Sequence, residues 1–475
     1  MTRYLVGIDN GSQSSKVTVF DERGGVVAEG RVPLRPNHTP APGVVEHPDD
    51  DLWDSIAAAC RIAMEAFPGD PSEIVGVGLC TIRFCRAVLR ADGSLAQPVL
   101  SWMDARVGAP FVAEQDDVAY VTTSSGYVTH RLTGAFRDTA ANYQGVWPID
   151  TDTWRWSEDE AAYAATGMRR DQLVELVAPG EVLGTVTDEA AAATGLPVGL
   201  PVVATANDKA VEALGCGLLD PTTLLVSLGT YIAGMSVGER NIDGASDFWT
   251  NFGSEPGRYL YESGGIRRGM WTVSWFRDLL GPDFAAAADA AGERAEDRLG
   301  REAADVPAGS DGLLTVLDWL APADATFRKG SILGFDGRQG RAHVYRSILE
   351  GIAMTMRDRG DAMAAELGTA YRRVVVSGGG SSSDLMMQIM SDVFQAPTIR
   401  VVGDSAAGRG AAICAAVATG VHPSFEAAAA AMVVERDRFT PDPSTAAVYD
   451  ALRAVHADVT AHTDEVYRRT AAIVG

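Results

Sequence analysis

The run Gly7-Ile8-Asp9-Asn10-Gly11-Ser12-Gln13-Ser14-Ser15-Lys16 decides how the rest of the chain is read. An apolar strand from Tyr4 to Ile8 leads into it, and Lys16-Val17-Thr18-Val19-Phe20-Asp21 leaves it with the alternation of a second strand. Gly24-Gly25 then turns the chain into a third strand at Val26-Val27. A strand, a Gly-Ser turn, a returning strand and a further hairpin make an antiparallel opening, which a βαβ dinucleotide-binding unit does not have. The glycine and hydroxyl residues of the turn leave backbone N–H groups and a side-chain donor free for phosphate oxygens.

The pattern returns at Thr222-Thr223-Leu224-Leu225-Val226-Ser227-Leu228-Gly229-Thr230, again a strand running into glycine and a hydroxyl residue. This echo is read as an internal duplication of fold. Between the two lies Leu200-Pro201-Val202-Val203-Ala204, a strand that leads into Ala206-Asn207-Asp208-Lys209-Ala210-Val211-Glu212-Ala213-Leu214-Gly215. Asp208 therefore falls at a strand's carboxyl end, where an open α/β sheet carries its chemistry. Local sequence alone reads it equally as a helix N-cap or as a base. Ile74 to Cys80 is a further buried strand, followed by Thr81-Ile82-Arg83-Phe84-Cys85. Arg83 fits a surface ion pair or a contact to a hydroxylated or anionic ligand in equal measure. Trp102 and Asp104 offer an aromatic and an acid in similar surroundings, with core packing and helix capping as their plainer readings. Val374-Val375-Val376-Ser377 enters a third glycine loop, Gly378-Gly379-Gly380-Ser381-Ser382-Ser383-Asp384.

Helices are expected from Asp49 to Ala66 with Asp caps, from Gly126 to a glycine stop at Gly134, and from Asp188 to Thr194. More follow at Trp271 to Leu280, Asp283 to Glu302, Leu385 to Phe394 and Ala406 to Ala418, ahead of a helical tail. The 475 residues exceed what one core usually holds, so two domains are expected, 1–217 and 218–475. A net charge of -23 opposes a polyanion surface and excludes nucleic acid as a partner. The five cysteines are scattered, without paired metal spacing, and fit a reducing cytoplasm. An acid at position 9 comes too early for a signal peptide, and no apolar run reaches membrane-spanning length, so a membrane is not an expected partner.

In this order and number, the motifs resemble the FGGY family of carbohydrate kinases over nearly the whole chain. Gly7 to Lys16 looks like the family's first phosphate loop, with Ser12 where threonine is usual. Gly330-Ser331-Ile332-Leu333-Gly334-Phe335 with His343 to Gly351 is similar to its C-terminal signature, and Gly378 to Ser383 resembles its adenosine loop. The resemblance implies an α/β fold of two actin-like, ribonuclease H-like ATPase domains around a central cleft. It implies ATP with Mg²⁺ bound mainly to the second domain and a small sugar or polyol bound mainly to the first. A homodimer is a further family expectation.

By the same resemblance Asp208 is the base and Asp9 the Mg²⁺ ligand. The phosphates fall to Gly11, Ser12, Gln13, Ser14, Gly229 and Thr230. The adenosine falls to Gly378, Gly379, Gly380, Ser381, Asp384 and Gln388. The acceptor falls to Thr81, Arg83, Phe84, Trp102, Asp104, Asn207, Asp208 and Lys209. The implied reaction is phosphorylation of a terminal hydroxyl, first of a pentulose such as xylulose, with a glycerol- or tetritol-like polyol second. An actin-like sensor that binds sugar and ATP without turnover is the reading from a different class. Three departures stand out. Lys209 replaces the family's amide, either to alter substrate choice or to pair with a nearby acid. Phe84 replaces the glutamate that follows the arginine in glycerol kinases. The stretch from Val107 to Ser125 lacks the family's longer insert, which implies an open or differently roofed sugar site.

Overall fold

The computed structural model describes residues 3–322, 325–403 and 405–474. Two mixed sheets, of six and seven strands, carry the molecule, and they share a central plan. In the first, β1 (Tyr4–Asn10), β2 (Ser14–Asp21) and β3 (Val26–Pro33) form an antiparallel meander. β4 (Ile74–Thr81) runs parallel to β1 on its other side. β5 (Val182–Thr185) closes the edge against β6 (Pro201–Ala204), which is parallel to β4.

The second sheet repeats this plan. β7 (Thr223–Leu228) pairs antiparallel with β8 (Ile232–Gly238), and β9 (Phe248–Phe252) is antiparallel to β10 (Tyr259–Ser263), which continues from β8. On the other side of β7 lie β11 (Arg373–Ser377) and β12 (Thr398–Val401), both parallel, then β13 (Glu435–Phe439) at the edge. The short echo in sequence is thus a repeated core of strands, a hairpin with two parallel strands beside it, to which the second sheet adds a seventh strand; this is the arrangement of the actin-like ATPase fold.

The central strands read as unbroken apolar runs because both faces are covered. Leu5, Val6 and Ile8 are fully buried, as are Leu224, Leu225 and Val226 in the second sheet. On the first sheet one cover is α1 (Asp51–Ala66). The other is helix Ala406–Ala418, which comes from the far end of the chain. Its approach is close enough to demand glycine in the sheet. A Cβ at Gly7 would lie 1.9 Å from the carbonyl oxygen of Gly408, and one at Gly78 would lie 1.9 Å from that of Ala411. The two sheets draw on residues 4–204 and 223–439, and helix 406–418, from late in the chain, packs with Leu5, Val203 and Leu214.

Helix boundaries at Asp188–Thr194 and Ala406–Ala418 coincide with the sequence reading. Helices Ser124–Thr133, Gly269–Leu279 and Asp384–Phe394 differ from it by one or two residues at an end, and two stretches depart for a physical reason. Asp50 makes no capping bond to α1, because its carboxylate is drawn to the Tyr127 hydroxyl and to Arg131. The stretch expected as one helix from Asp283 to Glu302 is split into Pro282–Ala290 and Ala295–Ala304, with Gly292 at φ 74° between them. All five cysteines are free and buried. Among the described residues no helix is long and apolar enough to cross a membrane.

Candidate active site

The carboxyl ends of β1, β4 and β6 in one lobe and of β7 and β11 in the other face a common cleft. β6 ends at Ala204, and helix Asp208–Gly215 follows after three residues. Its N-cap is Asn207, whose side-chain oxygen accepts from Ala210 N–H at 3.1 Å. The cap being filled, Asp208 becomes the first helical residue and its carboxylate is left for other use. Asn207 is fully engaged, since its amide also donates to the carbonyl of Phe252 in the other lobe at 3.3 Å.

Asp208 keeps 29% of its side chain exposed, so a ligand in the cleft can reach it. Its Oδ1 lies 3.5 Å from Arg83 Nε and accepts from Lys209 N–H at 2.9 Å. Burial pushes its carboxyl above the usual range, and Arg83 and Lys209 pull the other way. Asp9, at the end of β1, is pushed up to about 7, first by burial and then by the charges of Asp208 and Glu212. A carboxylate raised by its acidic neighbours is one that a divalent cation would hold ionised. Among the described residues no three His, Cys, Asp or Glu side chains are grouped to hold a metal unaided. Mg²⁺ takes one or two carboxylates and completes its shell with phosphate oxygens and water.

The three glycine turns surround these acids. In the first, Gly11 N–H donates to Ser14 O at 3.1 Å and leaves Ser12 and Gln13 exposed at the tip, while the Ser14 hydroxyl accepts from Arg31 at 3.1 Å. Lys16, just beyond, pairs with Glu29 at 2.9 Å. In the second, the carbonyl oxygens of Gly229 and Thr230 accept from Met270 and Gly269, and the Thr230 side chain stays exposed. In the third, Gly378 at φ 81° packs so tightly that a Cβ would sit 2.6 Å from Leu228 O. Gly379 is open, whereas the Ser381 and Ser382 hydroxyls turn inward to the carbonyls of Gly378 and Gly379. Asp384 is exposed and pairs with Arg400 at 2.8 Å. The Gln388 amide is spent on Asp392 at 2.8 Å and Thr440 O at 3.0 Å.

Lys209 turns down into the floor of the cleft. Its Nζ lies 2.8 Å from Glu212 and 3.1 Å from Ser227 Oγ, and the hydroxyls of Ser227 and Ser377 donate to the same Glu212 carboxylate at 2.7 and 2.6 Å. Burial works against ionisation of Glu212, but Lys209 and the two hydroxyls outweigh it and hold the carboxyl below its usual range. The lysine thus pairs with a nearby acid, one of the two roles open to it in the sequence.

Arg83 reaches across the cleft and forms a two-pronged pair with Glu262 of β10, at 2.8 and 3.1 Å. Trp249 and Phe84 lie against its guanidinium at 5.0 and 5.3 Å. Other residues assigned to the acceptor have partners or surroundings of their own. The buried Thr81 hydroxyl bonds to Ser124 at 2.8 Å. Asp104 is buried, and its carboxylate is occupied by Val45 N–H and by Arg106. Trp102 is half exposed on the same loop. The stretch after it is tied down by Arg86, whose guanidinium donates to the carbonyls of Arg106, Val107 and Ala109. Sequence reading missed Glu262, Glu212, Asn251 and Trp249. A lone acid inside the apolar run Tyr259-Leu260-Tyr261 was the available signal for Glu262, and its i+3 spacing from Lys209 that for Glu212.

Comparison with known proteins matches residues 4–114 and 110–215 to the N-terminal domain of the FGGY family of carbohydrate kinases, and residues 224–419 to its C-terminal domain. An uncharacterised sugar kinase of Escherichia coli strain K12 is 47% identical over 98% of this chain and 95% of that protein. A xylulose kinase of Bacillus subtilis strain 168 is 25% identical, covering 98% of both chains. In fold, the crystal structure of a gluconate kinase from Lactobacillus acidophilus superposes with a TM-score of 0.84 at 18% identity, over 99% of this chain and 100% of that one.

Proposed function

The chain belongs to the FGGY family of carbohydrate kinases, phosphotransferases with an alcohol group as acceptor, and we propose that it phosphorylates a terminal hydroxyl of a small sugar from ATP, a pentulose such as xylulose first. The observation that carries this is the release of Asp208 from capping. Asn207 fills the cap, and Asp208 stands open to the cleft beside Arg83.

Phosphoryl transfer asks the protein mainly to position reactants and neutralise charge. The acceptor oxygen attacks the γ-phosphorus, the bond from that phosphorus to the β-phosphate oxygen breaks, and the acceptor's proton passes to Asp208. The raised carboxyl of Asp208 makes it a better proton acceptor than an ordinary surface aspartate. Arg83 beside it orients the hydroxyl. Ser12, Gln13 and Ser14 on one side, and Gly229 and Thr230 on the other, offer donors to the β- and γ-phosphates, while Gly11, its N–H held by Ser14 O, keeps the first turn tight against them. Gly378, Gly379 and Gly380 let the backbone approach the nucleoside, with Asp384 at the rim. Asp9 would hold Mg²⁺, which when bound neutralises charge on the phosphate oxygens. Closing of the lobes over the cleft excludes water as a competing acceptor.

A coupled ADP-release assay over pentuloses, hexuloses and short polyols tests this. The expected result is turnover with at least one pentulose. ADP release no faster with any of these than with water would overturn it. The arginine at the mouth of β4 supports kinase action on a glycerol- or tetritol-like polyol as a second reading. Under that reading Arg83→Ala raises KM for the polyol far more than for ATP, and equal effects on both would count against it.

A further inference from the structure

Arg83 begins an acceptor subsite that residues on the opposite lobe finish. β9 and β10 are paired so that Trp249 stands directly across from Glu262, and Asn251, two residues on from Trp249, shares their face. Glu262 is buried to 1% exposure, and its carboxylate takes both prongs of Arg83 and the Asn251 amide at 3.3 Å. Asn251 is itself completely buried, yet its side-chain oxygen has no hydrogen-bond partner. A buried acceptor left empty is uncommon enough to require a donor from elsewhere. On the first lobe Phe84 is held at φ 65°, a backbone state that a bulky side chain rarely adopts, with its ring 6.1 Å from that of Trp249. The two rings flank the guanidinium.

We propose that Arg83, Glu262 and Asn251 form a hydroxyl-binding subsite shared between the lobes, and that Glu262 makes it select uncharged, hydroxyl-rich acceptors over sugar acids. The inference rests on the kinase reading for the identity of its ligand. A guanidinium has five N–H groups. Glu262 takes one from each Nη, and Nε faces Asp208, which leaves each Nη with a second donor. A hydroxyl matches what remains, since it accepts from arginine and donates to the empty Asn251 oxygen. A carboxylate does not match. It cannot donate to Asn251, and the single positive charge of Arg83 is already divided between Glu262 and Asp208. The same pair that reads the hydroxyl also ties one lobe to the other, so acceptor binding and cleft closure draw on the same contact.

The test uses the full chain, with ADP release measured for neutral sugars and polyols and for aldonates of matched length, in wild type, Glu262→Gln and Asn251→Ala. Glu262→Gln is expected to raise the aldonate-to-neutral ratio of kcat/KM about tenfold or more, with KM for ATP within about twofold of wild type. Asn251→Ala is expected to raise KM for the neutral acceptor about fivefold and leave KM for ATP alone. An unchanged ratio in Glu262→Gln, or equal shifts in both Michaelis constants, overturns the subsite while leaving the kinase intact. If Glu262→Gln does not fold, Asn251→Ala decides, because it removes the empty oxygen at the loss of one bond, that of the amide to Glu262, while Arg83 keeps both prongs on that carboxylate. If wild type releases no ADP, the kinase reading fails. Calorimetric titration with the same neutral and acidic sugars then decides the subsite, which falls if wild type binds aldonates as well as neutral sugars or binds neither.

Discussion

Asp9 in the first lobe and Ser227 in the second hold equivalent places. Each lies two residues ahead of the turn glycine, on a strand flanked by an antiparallel neighbour on one side and a parallel one on the other. Both converge on Glu212, Ser227 by a hydrogen bond of 2.7 Å and Asp9 through the charge that helps push its carboxyl to about 7. One twin is an acid and the other a neutral hydroxyl. The duplicated fold thus supplies two similar cradles with different groups, an acid at the first and, at the second, a neutral hydroxyl that adds no charge beside Glu212; the proposed function gives the first a cation and the second a phosphate. The proposed base, Asp208, and Arg83 also belong to the first lobe, while the second contributes turns and one buried carboxylate, Glu262.

The division can be broken from either side. Of the two twins the acid is expected to matter more, and Asp9→Asn should lower kcat about 10²-fold or more in steady-state assays, as a charge aimed at the reacting phosphates is lost. The same variant has a second readout in the ligand-free protein. Asp9 has a folded value raised from 3.8 to about 7, so its contribution to stability is present below the unfolded value and lost as pH rises through about 7. Wild type should therefore gain Tm as pH falls from 8 toward 5.5 to a greater degree than Asp9→Asn, measured by thermal melts at a series of pH values. Making the twins alike, Ser227→Asp should raise KM for ATP about tenfold, since a carboxylate would join Glu212 beside the second turn. A smaller effect is expected at the floor. Lys209→Met leaves Glu212 buried without its cation, and Tm should drop by several degrees at pH 8. Because Glu212 is held below its usual range in the native protein, that stabilisation fades as pH falls, so the wild-type and Lys209→Met melts should converge in acid.

Much of the frame was legible because its signals are local. Strand into Gly-Ser at positions 7–16, strand into Gly-Thr at 222–230, and the small-residue helix 406–418 each declare themselves within a dozen residues. What sequence could not show was where the 406–418 helix docks, since Gly7 and Gly78 announce a close approach without naming the partner. Asn207 and Asp208 could not be ranked as caps, because the two residue types serve that role almost equally well. The structure separates them by one position, and the whole chemical reading of Asp208 hangs on that step. Glu262 lies 179 residues from Arg83, and such a pair exists only once both sheets are folded and face each other. The partners of Asp104 and Gln388 were hidden for a related reason, as Val45, Arg106, Asp392 and Thr440 take their polar atoms only in the folded chain.

The most direct measurement is steady-state kinetics of Asp208→Asn with the best acceptor, alongside its affinity for ATP. A proton acceptor at the reacting oxygen predicts a fall in kcat of about 10³-fold with KM for ATP within about twofold of wild type. A folded Asp208→Asn that keeps kcat within about threefold would contradict the assignment of this carboxylate as the base.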